Sequence, residues 1–328
     1  MTHRKFLLPA ALLILAAAIL LSLCAGRYPL TPADLLSGDE MSWKVLMVLR
    51  VPRTIMAVTA GAGLAFAGSV YQLLFRNPLA APDIIGVSSG ASVGASVSIL
   101  FFGGGLLTNT LLAFTGGLTA VGLALLLARG GDRRNTATFV LAGIAVNALA
   151  EAAVMFLKYA ADPNQQLAAI DFWTMGSLAA ASWDTNLWML AVAVLGALFF
   201  WTQYRTLNLM LLGDEAAVTL GTDLHRWRIV YLLAASLLVG FAVYTAGIIG
   251  FVGLVIPHVV RILFGTDHKK LIPISALLGA IFLLWSDVLC RVVLPGKEIP
   301  IGVLTALVGA PVFIYLMARK KYGFGGGD

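Results

Sequence analysis

Charge is scarce in this chain. Of its 328 residues only 12% are charged and 60% are hydrophobic, with a mean hydropathy of +0.93. A water-soluble domain carries about 25% charged residues. Too little polar surface exists here to face water on all sides, so lipid must cover the rest. Cysteine is nearly missing as well. Cys24 and Cys290 sit inside apolar runs, without a partner at metal-binding spacing and without a disulfide framework; both read as small buried hydrophobes. Histidine occurs four times, too rarely for a relay of imidazoles passing on a bare metal ion, and no metal site is expected. No G-x-x-x-x-G-K-S/T run and no H-E-x-x-H run occurs, which removes the phosphate-loop and zinc-hydrolase motifs. The net charge of +6 reports, in so apolar a chain, where loops lie rather than an affinity for nucleic acid.

What the chain has in abundance is long apolar runs. A helix needs about 20 such residues to cross a bilayer, and ten apolar runs read as spans at roughly 6–26, 54–75, 84–102, 106–128, 136–158, 184–203, 229–248, 249–264, 271–290 and 300–318. Backbone polar groups in lipid must be satisfied within the segment, so the runs are read as helices. The expected fold is all-α, a single polytopic membrane domain over residues 1–328. The first run follows a basic head, like a signal peptide, but its uncharged stretch is about twice a signal core, and it is taken as the first span. The eighth is short, glycine-rich and carries Pro257.

Basic residues then orient the bundle. With the N-terminus inside, one side holds Arg4, Lys5, Arg76, Arg129, Arg133, Arg134, Arg205, Arg226, Arg228, Arg261, Lys269, Lys270 and the 319–321 cluster. The other holds Arg27, Lys44, Arg50, Arg53, Lys158, Arg291 and Lys297. The richer side is expected to be cytoplasmic, with both termini on it, in a cell membrane. Glycines recur at helical intervals in "GAGLAFAG" (61–68), "GVSSGASVG" (86–94) and "GVLTALVGAP" (302–311), a pattern for close helix packing in lipid. Trp173 and Trp183, in the outer segment 169–183, suit the headgroup level.

The longest cytoplasmic loop, 205–228, contains "LLGDEAAVTLG" (211–221). Asp214 and Glu215 would occupy a first turn, where the helix dipole favours anions. Gly213 precedes them and Gly221 suits a left-handed stop. Ala216, Ala217 and Leu220 form a small apolar face. Two readings are open: a solvated surface helix without a partner, or a rod that nests in another protein's groove.

Here the chain resembles a known family. "EAAVTLG" (215–221) looks like the EAA…G signature of binding-protein-dependent ABC importer permeases. "LRVPRT" (49–54), "QLLFRNPLAAPDIIGVSSGAS" (72–92), "IGFVGLVIPHVVRILFGTDHK" (249–269) and "IPIGVLTALVGAPVFIYL" (299–316) resemble the FecCD family of iron–siderophore, haem and cobalamin permeases. The resemblance implies a type II ABC importer permease fold of ten helices, paired with a second permease copy, two ATP-binding subunits and an extracytoplasmic solute-binding protein. It implies that ATP and Mg belong to the partner ATPase, that this chain binds no cofactor and that it is not itself an enzyme. "PDIIGVSSGAS" leans towards ferric siderophore as cargo, with haem and cobalamin as alternatives.

By the same resemblance, Gly213, Asp214, Glu215, Ala216, Ala217, Leu220 and Gly221 form the coupling helix that docks on the ATPase. Arg50, Arg53 and Arg291 grip glutamates of the binding protein, a task suited to the planar guanidinium fork; snorkelling is the plainer reading. Asn77, Leu79, Thr136 and Ala137 form the cytoplasmic gate, although Asn and Thr also serve as ordinary caps. The path along the two-fold axis is lined from the fifth span, where Asn147, Glu151 and Met155 share one face at i, i+4 and i+8. Glu151, the acid in that run, either lines the path or reaches outer water. Asp287 and His258 read as packing groups. A rival from another class is a secondary transporter driven by an ion gradient, which would use broken helices and buried acids at mid-membrane.

Overall fold

The computed structural model describes residues 4–28, 30–129, 136–212, 223–294 and 296–318. Ten helices form the body, all apolar. They are α1 (Arg4–Cys24), α2 (Val51–Leu74), α3 (Val87–Phe102), α4 (Leu106–Ala128), α5 (Thr136–Ala160), α6 (Trp183–Thr202), α7 (Leu224–Ala246), α8 (Val252–Phe264), α9 (His268–Val292) and α10 (Ile301–Ala318). Seven are long and apolar enough to cross a bilayer, α2 as part of a longer helical run, and α3, α8 and α10 are shorter apolar helices. Each coincides with one of the ten expected spans, and no strand occurs among the described residues.

The differences lie at helix ends and have local causes. The third span begins at Val87, not at 84, because Pro82–Ile85 closes a 3-10 turn and Gly86 follows at φ +88°. That left-handed conformation is cheap for glycine. The second span is longer than its apolar run. Glu40–Leu74 is one continuous helical stretch of 35 residues, with Val45–Arg50 in π geometry immediately before Pro52. A proline donates no backbone bond and its ring crowds the preceding turn, and a widened turn is one way a helix accommodates this.

α2 is the axis of the bundle, buried around most of its circumference from Thr54 to Leu74. Its closest approaches use glycine. A methyl on Gly61 would overlap the Gly279 carbonyl of α9, and one on Gly68 would overlap the Gly253 carbonyl of α8. Gly90 and Gly94 of α3 meet Gly116 and Leu112 of α4 in the same way. The small-residue runs of the sequence are thus contact surfaces between helices, as the lipid argument requires. Polar bonds add register: Gln72 accepts from Arg261 Nη2 at 2.8 Å and donates to the Leu254 carbonyl at 2.9 Å, tying α2 to α8.

The α7–α8 junction is a break rather than a loop. Gly247 and Phe251 both have positive φ, at +69° and +67°, and Phe251 sits where a methyl on Gly309 of α10 would collide with it. A bulky residue in that region is uncommon; here glycine on the facing helix leaves room for it. Beside the break, Ile301 N and Gly302 N donate to the carbonyls of Gly176 and Met175 at 3.1 and 3.0 Å. The short helix Gln166–Thr174 precedes this turn and is pinned to α5 by a Lys158–Asp171 ion pair of 2.6 Å.

Candidate functional site

Three groups of residues follow from this frame, one at each end of the bundle and one between them. At the first end, Asp287 of α9 is completely buried and gathers the arginines that the sequence singles out. Its Oδ1 accepts from Arg53 Nε at 2.8 Å and its Oδ2 pairs with Arg291 Nη2 at 2.9 Å. Arg53 Nη1 reaches Glu298 at 2.9 Å. Arg291 also donates to the carbonyls of Ser22 and Ala25 at 3.0 and 2.9 Å and to Ser22 Oγ at 2.8 Å. Arg50 donates to the carbonyls of Ala25 and Tyr28. The end of α1 and the residues just after it are therefore held by Arg291 of α9 and by Arg50, which precedes α2.

The sequence places Arg50, Arg53 and Arg291 on the outer surface, ready for a partner. The structure brings them together and turns them inward. Arg50 and Arg291 are only 5% and 6% exposed, because lone charges beside lipid are costly and carboxylates and helix-end carbonyls are the partners at hand. Glu298, 31% exposed, is the member that reaches water.

At the opposite end, Asn77 shapes a turn. Its side-chain oxygen accepts from Leu79 N at 2.9 Å, while Arg76 adopts φ +46°. Asn77 and Leu79 are exposed, and so is Ala137 in the first turn of α5. The Thr136 side chain lies outside the described residues, and so does the whole segment Gly213, Asp214, Glu215, Ala216, Ala217, Leu220 and Gly221. Its approaches are described. The helix Tyr204–Leu211 buries Leu207 and Met210. Asn208 donates to Asp267 Oδ1 at 2.8 Å and accepts from His268 N at 2.9 Å. That bond from Asn208 is the main cause holding the Asp267 carboxyl below its ordinary range. Asp267 also caps α9 through Lys269 N.

Between the ends, Asn147, Glu151 and Met155 open onto a cavity of about 440 Å³. The i, i+4, i+8 face of α5 is thus one wall. Asp83, Ser88, Ser89, Ser92, Lys158 and Thr174 also line it. Asn147 Nδ2 donates to the Asp83 carbonyl at 2.6 Å, fixing α5 against the 3-10 turn. Asp83, Ser88, Ser89 and Ser92 escape a reading of the sequence. "SSGAS" shows hydroxyls at helical spacing, but small residues that pack helices produce the same pattern.

A bundle of ten apolar helices with a cavity between α3 and α5, buried charge at one end and an amphipathic loop approach at the other is the design of a transport permease. The chain belongs to the FecCD transport family, whose model matches residues 13–319. It is 42% identical over 294 residues to the hemin transport system permease HmuU of Yersinia pestis, covering 87% of this chain and 86% of that one. It is 39% identical over 319 residues to the vitamin B12 import permease BtuC of Salmonella typhi, covering 96% and 95%. A solved metal-chelate type ABC transporter in an inward-facing conformation superposes with a TM-score of 0.88 at 34% identity, over 96% of this chain and 99% of that one. The fold is that of an ABC importer permease.

Proposed function

We propose that this chain is the membrane half of an ATP-driven importer for a ferric siderophore, working as a pair of permease copies. Two ATP-binding subunits stand on the Asn77 and Asp267 end, which is cytoplasmic, and a solute-binding protein docks on the Arg53 end. The family match across 13–319 carries the reading. Similarity to relatives named for hemin and vitamin B12 keeps those cargoes as the alternatives within it. ATP acts through its different affinity for two arrangements of the complex. The segment 213–221 passes that difference to the helices, and cargo moves through the cavity beside Asn147, Glu151 and Met155, past a gate that includes Asn77, Leu79, Thr136 and Ala137.

The test is reconstitution in proteoliposomes with the ATPase and the binding protein. Uptake of ferric siderophore is expected only with ATP inside reach of the ATPase. Uptake that persists without that subunit and follows an ion gradient would establish the secondary-transport rival. Replacing Glu215 and Gly221 together is expected to leave the complex assembled and to abolish uptake; undiminished uptake would remove the coupling role.

Docking on this end must contend with Glu298, which already occupies the outer side of the Arg53 fork. A carboxylate from the binding protein reaches Arg53 by displacing it. Glu298→Gln is expected to tighten docking roughly fivefold, the scale of ~1 kcal/mol for a partly exposed ion pair. Titrating the binding protein onto nanodisc-embedded complex reads this, and unchanged or weaker affinity would show that Arg53 is not a docking group.

A further inference from the structure

The cavity between α3 and α5 carries a chemical preference. Its side-chain donors are directed at protein acceptors. Ser88 donates to Asp83 and Ser89 to Asn147. Ser92 donates to the Ser88 carbonyl at 3.0 Å and Thr174 to the Asp171 carbonyl at 2.9 Å. Asn147 spends its amide on the Asp83 carbonyl, and Lys158 pairs with Asp171. Apart from the remaining ammonium hydrogens of Lys158, what faces the space is acceptors. The Glu151 carboxylate is exposed to the cavity, with no hydrogen bond or ion pair to another described residue. Asp83 is likewise exposed there, and its one side-chain partner is the Ser88 hydroxyl. Met155 and Val154 supply an apolar strip between them.

Resting on the importer reading above, we propose that this wall is a selectivity site for an uncharged or cationic metal chelate that presents N–H or O–H donors, such as a hydroxamate-type ferric chelate bearing an ammonium. The Glu151 carboxylate and a row of acceptor lone pairs repel a polyanionic tris-catecholate. They oppose haemin too, whose propionates bring negative charge and whose flat ring would bury polar groups unpaired.

The experiment uses the complete complex in proteoliposomes and follows radioiron in ferrioxamine B (ammonium-bearing), ferrichrome (uncharged), a ferric tris-catecholate and haemin. For each chelate that the wild type carries, the ratio of variant to wild-type uptake is read, so that the binding protein's own selectivity cancels. Wild type is expected to carry the first or second. Glu151→Gln is expected to lower ferrioxamine B uptake roughly tenfold, the scale of one charge-assisted hydrogen bond, and ferrichrome uptake by less than about threefold, the scale of a neutral one. Glu151→Lys should deepen the first loss and Glu151→Asp should restore it. Co-elution of each variant with the ATPase subunits checks that it folds. The proposal is overturned if the wild type carries the tris-catecholate or haemin in preference, or if the Gln and Lys variants scale every chelate equally. If the wild type carries none of them but takes up vitamin B12 under ATP, the ferric-siderophore reading itself fails, which is a different result.

Discussion

Asp287→Ala is expected to be the most destabilising single substitution in the molecule. The side chain has no exposure at all and sits between Arg53 and Arg291, each within 2.9 Å. Removing it leaves two guanidiniums buried at a helix junction with one carboxylate, Glu298, between them and no direct bond from Glu298 to Arg291 among the described residues. Breaking a buried pair from one side costs about 3–5 kcal/mol, because the surviving charge stays uncompensated. The loss spreads further than one pair. Arg291 holds the Ser22 and Ala25 carbonyls, and Ser22 Oγ meets Thr54 Oγ1 at 2.7 Å, so α1, α2 and α9 share the network. Thermal unfolding of the purified permease in detergent should fall by on the order of 5–10 °C, taking about 2 °C per kcal/mol for a chain of this size. Asp287→Asn keeps the shape and one acceptor and should fall by less than the alanine variant. If both unfold within a degree of wild type, the network holds nothing and the arginines are free to serve a partner.

That network also marks how far the sequence can be read. Ten spans are legible because the bilayer sets one length and one composition for each, and both are visible residue by residue. The grip on Arg53 is not, because Asp287 lies 234 positions away and becomes its neighbour only when α9 packs along α2. Spacing tells that Arg50 and Arg53 lie one turn apart; it does not tell whether they face water or a buried carboxylate. The cavity divides in the same way. Asn147, Glu151 and Met155 are one stripe of one helix and can be found by periodicity alone. Asp83 and Ser88 belong to a turn whose position depends on Gly86 at φ +88° and on the bond from Asn147, two features of the closed fold. The segment 213–221, proposed above to couple to the ATPase, is the most legible motif in the chain by resemblance, yet its residues lie outside those the structure describes.

Those flanks make the second large expectation. Asn208 closes a three-way clasp: its amide donates to Asp267 Oδ1, and its oxygen accepts from the backbone of His268, with His268 Nδ1 at 3.0 Å. The clasp joins the helix that leads into 213–221 to the first turn of α9, the same helix whose far end carries Asp287 and Arg291. On the proposed coupling role of 213–221, a push that reaches Tyr204–Leu211 enters α9 here, so breaking the joint should separate hydrolysis from transport. With Asn208→Ala, and separately Asp267→Ala, ATP hydrolysis by the reconstituted complex is expected to stay within about twofold of wild type while uptake drops tenfold or more, the loss of ~1.4 kcal/mol of coupling. Both rates are measured on the same proteoliposomes. Acidification gives an independent check of sign. A carboxyl held below its ordinary value contributes its stability above the unfolded value of about 3.9 and loses it as pH falls through the lowered one. The clasp therefore stays closed throughout the neutral range, and coupling should not change between mildly acidic and mildly alkaline buffer on its account. Equal losses of hydrolysis and uptake in the Asn208 variant would mean that the joint serves assembly alone, and force would then have to enter the bundle elsewhere.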